Sequence, residues 1–300
     1  MTVLVFLDPD HPAGRVADAA VPQLLATDQG ATRGDGIFDS MLAVDGAVRK
    51  LSSHLSRLVS SAGLLELEIP APDAWKAAIA TALAEYRGPS PEPGDEAVVK
   101  LLATRGPEGS GTPTAWVQVS APPAAGREQR ERGVDVLLLD RGYDSSVGQR
   151  APWLLLGAKT LSYAVNMAAL RYAHDNGADD VIFTSSDGMV LEGPTSSVLV
   201  AHYEVEGDTV TKRLITPQLD SGILPGTTQG ALFRAATDAG WELGYGPLVP
   251  EDLFDADAVW LISSIRLLAP VNRIDARDVG SAEVRAMLTA ELNLLLDSVR

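Results

Sequence analysis

The feature that most constrains the fold is a segment at residues 121–133 that is rich in Pro, Ala and Gly and ends in a run of charged residues. Such a composition is typical of a linker between domains. The chain has 300 residues, which is more than most single hydrophobic cores accommodate. We therefore predict a smaller N-terminal α/β domain over residues 1–121, a linker over 122–133 and a larger C-terminal domain over 134–300.

Strand and helix signals alternate in both parts of the chain. Asp45-Gly46 lies between two apolar runs and predicts a hairpin. Ser52 or Ser53 is predicted to cap a helix that ends near Leu64, and Pro72 is predicted to open the next helix. Further strands are expected over 97–104, 114–120, 134–139, 197–201 and 259–263, further helices over 160–176, 227–239 and 281–296, and a Pro- and Gly-rich loop over 87–95. The pattern favours a mixed α/β protein with its ligand site in the crevice between the domains.

Charge and composition exclude several classes of function. Lys and Arg number 24 against 40 Asp and Glu, a net charge of -16, which argues against nucleic acid or an anionic membrane as the main partner. No apolar run approaches the roughly 18 residues of a membrane span. The apolar start stops at Asp8-Pro9-Asp10, so we interpret it as a first strand rather than a signal peptide and expect a cytoplasmic protein.

Metal and thiol chemistry are not expected either. The chain has no cysteine, which excludes disulfides, thiolate catalysis and Cys-ligated metal centres. Its four histidines, His11, His54, His174 and His202, are scattered without metal-ligand spacing. We therefore predict no metal site.

Lysine is scarce, and one lysine has an unusual context. The chain has five, at Lys50, Lys76, Lys100, Lys159 and Lys212. Lys159 follows a mainly apolar segment and precedes a predicted helix. A desolvated lysine amine has a lowered pKa and attacks carbonyl groups. The alternative is a structural lysine at a strand–helix junction, with its amine in solvent.

Two motifs downstream of Lys159 fit the same chemistry. Glu192 ends a strand before a turn rich in hydroxyls, and a buried carboxylate there needs a donor or a cation, whereas a surface Glu at a turn does not. Residues 222–228 open a helix whose free N–H groups, with the hydroxyls of Thr227 and Thr228, suit a phosphate; simple N-capping by Thr227 is the alternative. A nucleophilic lysine, an acid and a phosphate-binding helix start are together what pyridoxal phosphate (PLP) requires.

On these residues the chain resembles the class IV PLP enzymes of fold type IV, which include branched-chain aminotransferases, D-amino acid aminotransferases and aminodeoxychorismate lyases. The resemblance spans nearly the whole chain. Its motifs are Gly34-Asp35-Gly36-Ile37-Phe38, His54-Leu55-Ser56-Arg57-Leu58, Thr104-Arg105-Gly106, the Lys159 segment, Glu192-Gly193 through Val198, Leu224-Pro225-Gly226-Thr227-Thr228, and Ser263-Ser264 through Pro270-Val271. It implies a two-domain mixed α+β fold like that of D-amino acid aminotransferase, with the cofactor between the domains, and a homodimer.

The resemblance also implies residue roles. Lys159 matches the Schiff-base lysine that shuttles the proton, and Glu192 matches the partner of the pyridine nitrogen. Tyr163 resembles a tyrosine that hydrogen-bonds the 3′-oxygen of the cofactor, although many members have Asn near this position. The residues that match phosphate ligands are Arg57, Thr227, Thr228 and Ser264. Arg105 resembles an arginine that binds a substrate carboxylate, the alternative being a solvent-exposed arginine at a hairpin edge.

The reaction is predicted from the substrate contacts. A lyase substrate with two carboxylates favours several arginines, and Arg33, Arg105 and Arg266 border the site in this family; an apolar transaminase pocket would use Phe38, Met41 and Ile265. The Lys159 and Glu192 segments most resemble lyase-type members, and Asp39 stands where branched-chain enzymes often have Glu. We predict a 4-amino-4-deoxychorismate lyase of folate biosynthesis, which gives 4-aminobenzoate and pyruvate. The alternatives are a class IV aminotransferase for branched-chain or D-amino acids with 2-oxoglutarate, and a protein that binds PLP without catalysis.

Overall fold

The chain folds as two units in a computed structural model that describes residues 1–87 and 94–299. The first unit contains Met1–Pro123 together with Ala158–Tyr163, and the second contains Ala124–Gly157 together with Ala164–Arg300. The predicted division into 1–121, 122–133 and 134–300 did not anticipate that Lys159 belongs to the first unit. The contacts that place it there join residues far apart in the sequence, and a linear pattern does not reveal them.

The first unit is built on one antiparallel sheet. Its strands are β1 (Thr2–Asp8), β2 (His11–Ala17), β3 (Gly36–Val44), β4 (Ala47–Val48), β5 (Glu96–Thr104) and β6 (Thr114–Ser120). Their spatial order is β2-β1-β6-β5-β3-β4. The helices of this unit are α1 (Gln29–Arg33), α2 (Leu51–Leu64) and α3 (Pro72–Arg87). Helix α2 packs on β3, and α3 packs on β1, β2 and β6, around the buried side chain of Trp75.

The hairpin and the two helices after it follow from local signals. Asp45 and Gly46 both have positive φ, at 52° and 79°, which is the backbone that a tight two-residue hairpin turn needs. The predicted hairpin is confirmed, and α2 ends at Leu64 as expected. The predicted cap is wrong: the residue before α2 is Lys50, in a left-handed conformation without a side-chain cap. The helix begins immediately after the hairpin, so Ser52 already lies inside its first turn.

The second unit contains a mixed sheet. Its strands are β7 (Val134–Asp140), β8 (Asp180–Thr184), β9 (Ser197–Glu206), β10 (Thr209–Pro217), β11 (Glu242–Gly246), β12 (Ala258–Ser263), β13 (Leu267–Ile274) and β14 (Arg277–Asp278). The order is β11-β10-β9-β12-β13-β7-β8, and β14 pairs with β13. The pairs β10/β11, β7/β13 and β7/β8 are parallel. The pairs β9/β10, β9/β12 and β12/β13 are antiparallel.

The second unit also contains helices. They are α4 (Ala124–Arg132), α5 (Val147–Arg150), α6 (Ala164–Asp175), α7 (Thr227–Asp238), α8 (Pro250–Phe254) and α9 (Ala282–Ser298), with two short 3₁₀ turns at Pro152–Leu154 and Leu219–Ser221. The central strand β12 is buried on both faces: Val259 and Leu261 join one apolar cluster, while Trp260 joins another formed with α7 and α9. Such double burial explains why β12 is apolar from Ala258 to Ile262 instead of alternating.

The observed elements confirm the predicted mixed α/β class. The bounds of some elements differ from the predicted ones. The predicted linker contains α4, and the helix expected from residue 160 begins at Ala164. Thr160 instead pairs with Ile37 of β3, and this pairing holds the backbone extended. The predicted loop at 87–95 falls mostly outside the described residues. Among the residues that are described, no helix is long and apolar enough to cross a membrane.

Candidate active site

The Lys159 segment is held by two backbone hydrogen bonds to β3 and by one hydrogen bond to a side chain of α2. The Phe38 N–H donates to the Lys159 carbonyl at 3.0 Å, and the Leu161 N–H donates to the Gly36 carbonyl at 2.8 Å. The Lys159 N–H donates to the hydroxyl of Ser61, on α2, at 3.1 Å. A Cβ at Gly36 would lie 2.5 Å from the carbonyl oxygen of Ala103 on β5, so the close approach of β3 to β5 at this point requires glycine. The position of Lys159 is thus fixed by both β3 and α2.

The amine of Lys159 lies beside two aromatic rings. Its Nζ is 4.6 Å from the centre of the Phe38 ring and 5.7 Å from that of Tyr163. The two rings meet edge to face, with centroids 5.3 Å apart. An ammonium at these distances is attracted to the ring faces. The structure therefore brings together three of the predicted site residues, Lys159, Phe38 and Tyr163.

Arg57 projects from α2 toward a buried carboxylate. Its Nε donates to Asp39 Oδ2 at 2.9 Å and its Nη2 to Asp39 Oδ1 at 2.8 Å. His54, one turn earlier, contacts Asp39 Oδ1 through Nδ1 at 2.8 Å. The side chains of Asp39 and His54 are 0% and 1% exposed, so Arg57 is anchored from inside the unit.

The protonation states in this cluster follow from burial and pairing. Burial raises the pKa of Asp39, but hydrogen bonds from His54 and Arg57, with the Arg57 charge, outweigh it and lower that pKa from 3.8 to about 2. Burial disfavours the charged form of His54 and lowers its pKa, despite the opposing effect of Asp39. Asp39 is therefore ionised at neutral pH, and a neutral His54 carries its proton on Nδ1, where it donates to Asp39.

Two predicted substrate arginines are engaged with carboxylates of the first unit. Arg105 donates to Asp35 through Nε at 2.7 Å and through Nη2 at 3.2 Å. It also donates to the carbonyls of Leu65 and Glu66, at 2.8 and 3.2 Å. The hydrogen bond to Asp35 raises the pKa of the Arg105 guanidinium. Arg33 pairs with Glu108 at 2.6 Å on an exposed surface.

In the second unit, Glu192 is tied to the segment that leads into α7. It follows β8, where the Phe183 N–H donates to its backbone carbonyl at 2.9 Å. Its side-chain Oε2 accepts the Leu224 N–H at 3.0 Å. The half-buried carboxylate thus has a neutral backbone donor, which fixes its orientation without neutralising its charge.

Three hydroxyls meet at the start of α7. The hydroxyls of Thr227 and Thr228 each lie 3.0 Å from the Ser264 hydroxyl, which comes from the turn between β12 and β13. The residue before the helix is Gly226, and no side-chain cap is present, so N-capping by Thr227 is wrong. The start of a 12-residue helix carries partial positive charge, and with the adjacent hydroxyls it favours an anion such as phosphate.

The same turn carries the remaining two predicted substrate residues, Ile265 and Arg266. Arg266 Nη1 donates to Asp180 Oδ2 at 2.7 Å and to Gln129 Oε1 at 3.2 Å. The Ile265 carbonyl accepts from Arg130 at 2.7 Å. No group of three or more His, Asp or Glu side chains in residues 1–87 and 94–299 is arranged to hold a metal ion.

Sequence reasoning missed several residues that support this site. Asp39 was noted only as a departure from a family pattern, although a single Asp inside the apolar strand β3 signals a buried, paired carboxylate. Ser61 and Arg130 gave no signal, because their partners are backbone groups distant in sequence.

Comparison with known proteins identifies the family. The amino-transferase class IV family model matches residues 36–274. A Mycobacterium tuberculosis (strain ATCC 25618 / H37Rv) protein named bifunctional aminodeoxychorismate lyase / D-amino acid transaminase is 43% identical over 281 residues, which cover 93% of this chain and 95% of that protein. The chain therefore belongs to the class IV aminotransferases, a PLP-dependent family of aminotransferases and lyases, as its motifs predicted.

Solved structures show the same fold. A fold IV transaminase from Curtobacterium pusillum matches with a TM-score of 0.88 and 43% identity, and the match covers 99% of each chain. The PLP-bound form of a hypothetical aminotransferase from Mycobacterium tuberculosis matches with a TM-score of 0.89 and 39% identity, over 100% of this chain and 98% of that one. The predicted fold type IV is thereby confirmed.

Proposed function

We propose that this chain binds PLP and cleaves 4-amino-4-deoxychorismate to 4-aminobenzoate and pyruvate. The observation that carries the proposal is the 43% identity, over 93% of the chain, to a relative named for this lyase activity and for D-amino acid transamination. A cluster of three hydroxyls at the start of α7 fits a phosphate group, and the amine of Lys159 beside two aromatic rings fits a carbonyl-reactive nucleophile. The residues present are therefore those that the cofactor needs.

Seven residues are proposed to bind the cofactor. Lys159 would bond the cofactor and Tyr163 would hydrogen-bond its 3′-oxygen. Glu192 would pair with the pyridine nitrogen. Arg57, anchored by Asp39, would bind the phosphate together with the hydroxyls of Thr227, Thr228 and Ser264.

The chemistry divides between the cofactor and the side chains. When bound, PLP supplies an electron sink for the negative charge that develops at the substrate carbon bearing the amine. Glu192, oriented by the Leu224 N–H, stabilises a proton on the ring nitrogen. Lys159 Nζ takes the proton from the amine-bearing carbon and holds it. The rings of Phe38 and Tyr163 lie beside that amine, with their centres 4.6 and 5.7 Å from Nζ, and help to fix its position.

The lyase outcome follows from the substrate. Once the proton has moved to Lys159, the bond between the ring carbon and the enolpyruvyl oxygen breaks, and its electron pair leaves with enolpyruvate, which takes up a proton to become pyruvate. The ring becomes aromatic, so no amino acceptor is required. D-amino acid transamination is the second candidate, because the same relative is named for both activities. Branched-chain transamination is the third, and it would also need a keto acid as acceptor.

Arg105 is the proposed contact for a substrate carboxylate. Asp35 occupies its Nε and Nη2, so the carboxylate would replace the Glu66 carbonyl, 3.2 Å from Nη1. Arg33, Phe38 and Ile265 stay predictions for the same pocket. Arg266 is left out of this pocket, because its side chain is only 11% exposed and its guanidinium is held by the buried Asp180.

The cofactor proposal is tested by covalent trapping. Purified protein incubated with PLP and reduced with borohydride should carry the added mass on the peptide that contains Lys159. Lys159→Ala should remove the label and the near-visible absorbance, whereas Lys76→Ala, on the exposed face of α3, should keep both. Failure of the wild type to bind or be labelled would refute cofactor binding. Glu192→Gln should keep the cofactor and lose most turnover.

The reaction is tested by two assays in parallel. In the first, aminodeoxychorismate is supplied without a keto acid, and 4-aminobenzoate and pyruvate are measured. In the second, D-alanine or L-leucine is supplied with 2-oxoglutarate, and glutamate is measured. Activity only in the second assay would overturn the lyase proposal. Arg105→Lys should raise KM for the lyase substrate more than it lowers kcat, since it weakens a binding contact. We also propose a homodimer, which light scattering of the purified protein would test.

A further inference from the structure

The turn that carries Ser264 is held by a side chain from outside the turn. Arg130, on α4, donates from Nη2 to the Ile265 carbonyl and from Nε to the Arg266 carbonyl, both at 2.7 Å. Leu267 completes the turn with a φ of 61°, an unfavourable conformation for a residue with a side chain. Because one planar guanidinium binds both carbonyl oxygens, the backbone of the turn is held in one conformation.

A second contact fixes the turn from within. Arg266 pairs with Asp180 of β8 at 2.7 Å, and the two side chains are 11% and 2% exposed. Nε and Nη2 of Arg266 are buried and have no hydrogen-bond partner among the described residues. Burying such groups costs free energy, and buried ion pairs often contribute little net stability. The pair therefore fits a role in geometry better than a role in overall stability.

We infer that Arg130 and Arg266 are positioning residues for the cofactor phosphate. They hold the turn at 264–267 so that the Ser264 hydroxyl stays 3.0 Å from those of both Thr227 and Thr228. The inference rests on the proposed function, in which these three hydroxyls bind the phosphate. Neither arginine touches the anion: each acts through the backbone or the packing of the turn.

The geometry separates this role from a general effect of positive charge. A lysine at position 130 keeps the charge but cannot donate to two carbonyls from one rigid plane. Loss of one well-placed hydrogen bond from a hydroxyl to phosphate lowers the affinity about fivefold to tenfold. We therefore expect Arg130→Lys and Arg130→Gln to weaken phosphate binding to a similar extent.

The test compares two forms of the cofactor. Apo protein is titrated with PLP and, separately, with pyridoxal, which lacks the phosphate, and the two Kd values are measured by absorbance. Arg130→Lys, Arg130→Gln and Arg266→Gln should raise the Kd for PLP about fivefold to tenfold and leave the Kd for pyridoxal unchanged. Arg127→Gln is the matched control, because it removes the same charge from an exposed position on the same helix.

The outcomes distinguish the inference from the proposed function. If Ser264→Ala leaves both Kd values unchanged, the proposed phosphate site is wrong. If Ser264→Ala weakens only PLP but the Arg130 variants behave as wild type, the positioning role is wrong. The role is also refuted if Arg130→Lys matches wild type, or if both Kd values rise together. Circular dichroism of each apo variant checks that it is folded, so a joint rise of both Kd values in a folded variant counts against the role.

Discussion

Replacing Asp39 by Asn should destabilise the protein strongly, because Asp39 is the buried anion that neutralises Arg57. The carboxylate accepts two hydrogen bonds from Arg57, one from His54 and one from the Ser40 N–H. Asn has nearly the same shape, so the change removes the charge without opening a cavity. It leaves the Arg57 guanidinium, 11% exposed, without its counter-ion.

The size of the effect follows from the pKa. A fall in the pKa of Asp39 from 3.8 to about 2 corresponds to roughly 2 kcal/mol of stabilisation of the ionised form in the folded protein. Breaking a buried ion pair from one side typically costs about 3–5 kcal/mol. We expect Asp39→Asn to lower the free energy of unfolding by about 3 kcal/mol at pH 7.

The pH dependence has a definite sign. A carboxylate with a lowered pKa contributes its stability fully above its unfolded value of 3.8, and the contribution is lost as pH falls toward about 2. The difference between wild type and Asp39→Asn should stay constant between neutral pH and about pH 5 and then narrow as the pH falls further.

Urea unfolding followed by circular dichroism, repeated across this pH range, measures the difference. Asp73→Asn is the control, because the Asp73 side chain is 91% exposed and pairs only with a surface lysine. Its effect should stay below about 0.5 kcal/mol. A loss under about 1 kcal/mol for Asp39→Asn, or a difference as large at pH 3 as at pH 7, would refute the reasoning.

Three further changes test the local structure. The pKa of His54 is lowered in the folded protein, so as the pH falls below 6.5 the unfolded chain binds this proton before the folded protein does. Its uptake lowers the free energy of unfolding, and His54→Gln should therefore make that fall less steep between pH 7 and 5. Equal slopes of unfolding free energy against pH in the variant and the wild type would contradict this. Gly106→Ala should destabilise the protein more than Gly109→Ala. Both glycines have φ near 80°, but only at Gly106 would a Cβ meet a backbone oxygen, at 1.9 Å. Equal unfolding midpoints for the two variants would contradict this prediction. Ser61→Ala should speed hydrogen exchange at the Lys159 amide, measured by mass spectrometry, whereas Ser61→Thr should retain protection; unchanged exchange in the alanine variant would show that the hydrogen bond is not protective.

The sequence predicted best the elements whose signals are local. The Asp45-Gly46 hairpin, the helix that Pro72 opens and the helix that begins at Thr227 all lie where they were expected. Turn and helix-start preferences act over a few residues, so one stretch of chain contains the whole signal. The class IV motifs likewise identified the family, because each consists of adjacent residues.

The partners of the site residues could not be predicted from the sequence. Arg105 is bound to Asp35, 70 positions away, and Arg266 to Asp180, 86 positions away. Such pairs form because burial makes an unpaired charge costly, but nothing in the linear pattern says which carboxylate is near. The same holds for the backbone of Lys159, whose contacts with β3 displaced the start of the predicted helix to Ala164.

The passage of residues 158–163 into the first unit has a consequence for the order of folding during synthesis. The first unit ends at Pro123 except for this short segment, which the ribosome makes only after α4 and β7 of the second unit. A nascent chain stopped after Pro123 therefore lacks the segment that pairs with Gly36 and Phe38. Neither unit is one continuous piece of chain, so a genetic cut after Pro123 would deprive the first unit of Lys159.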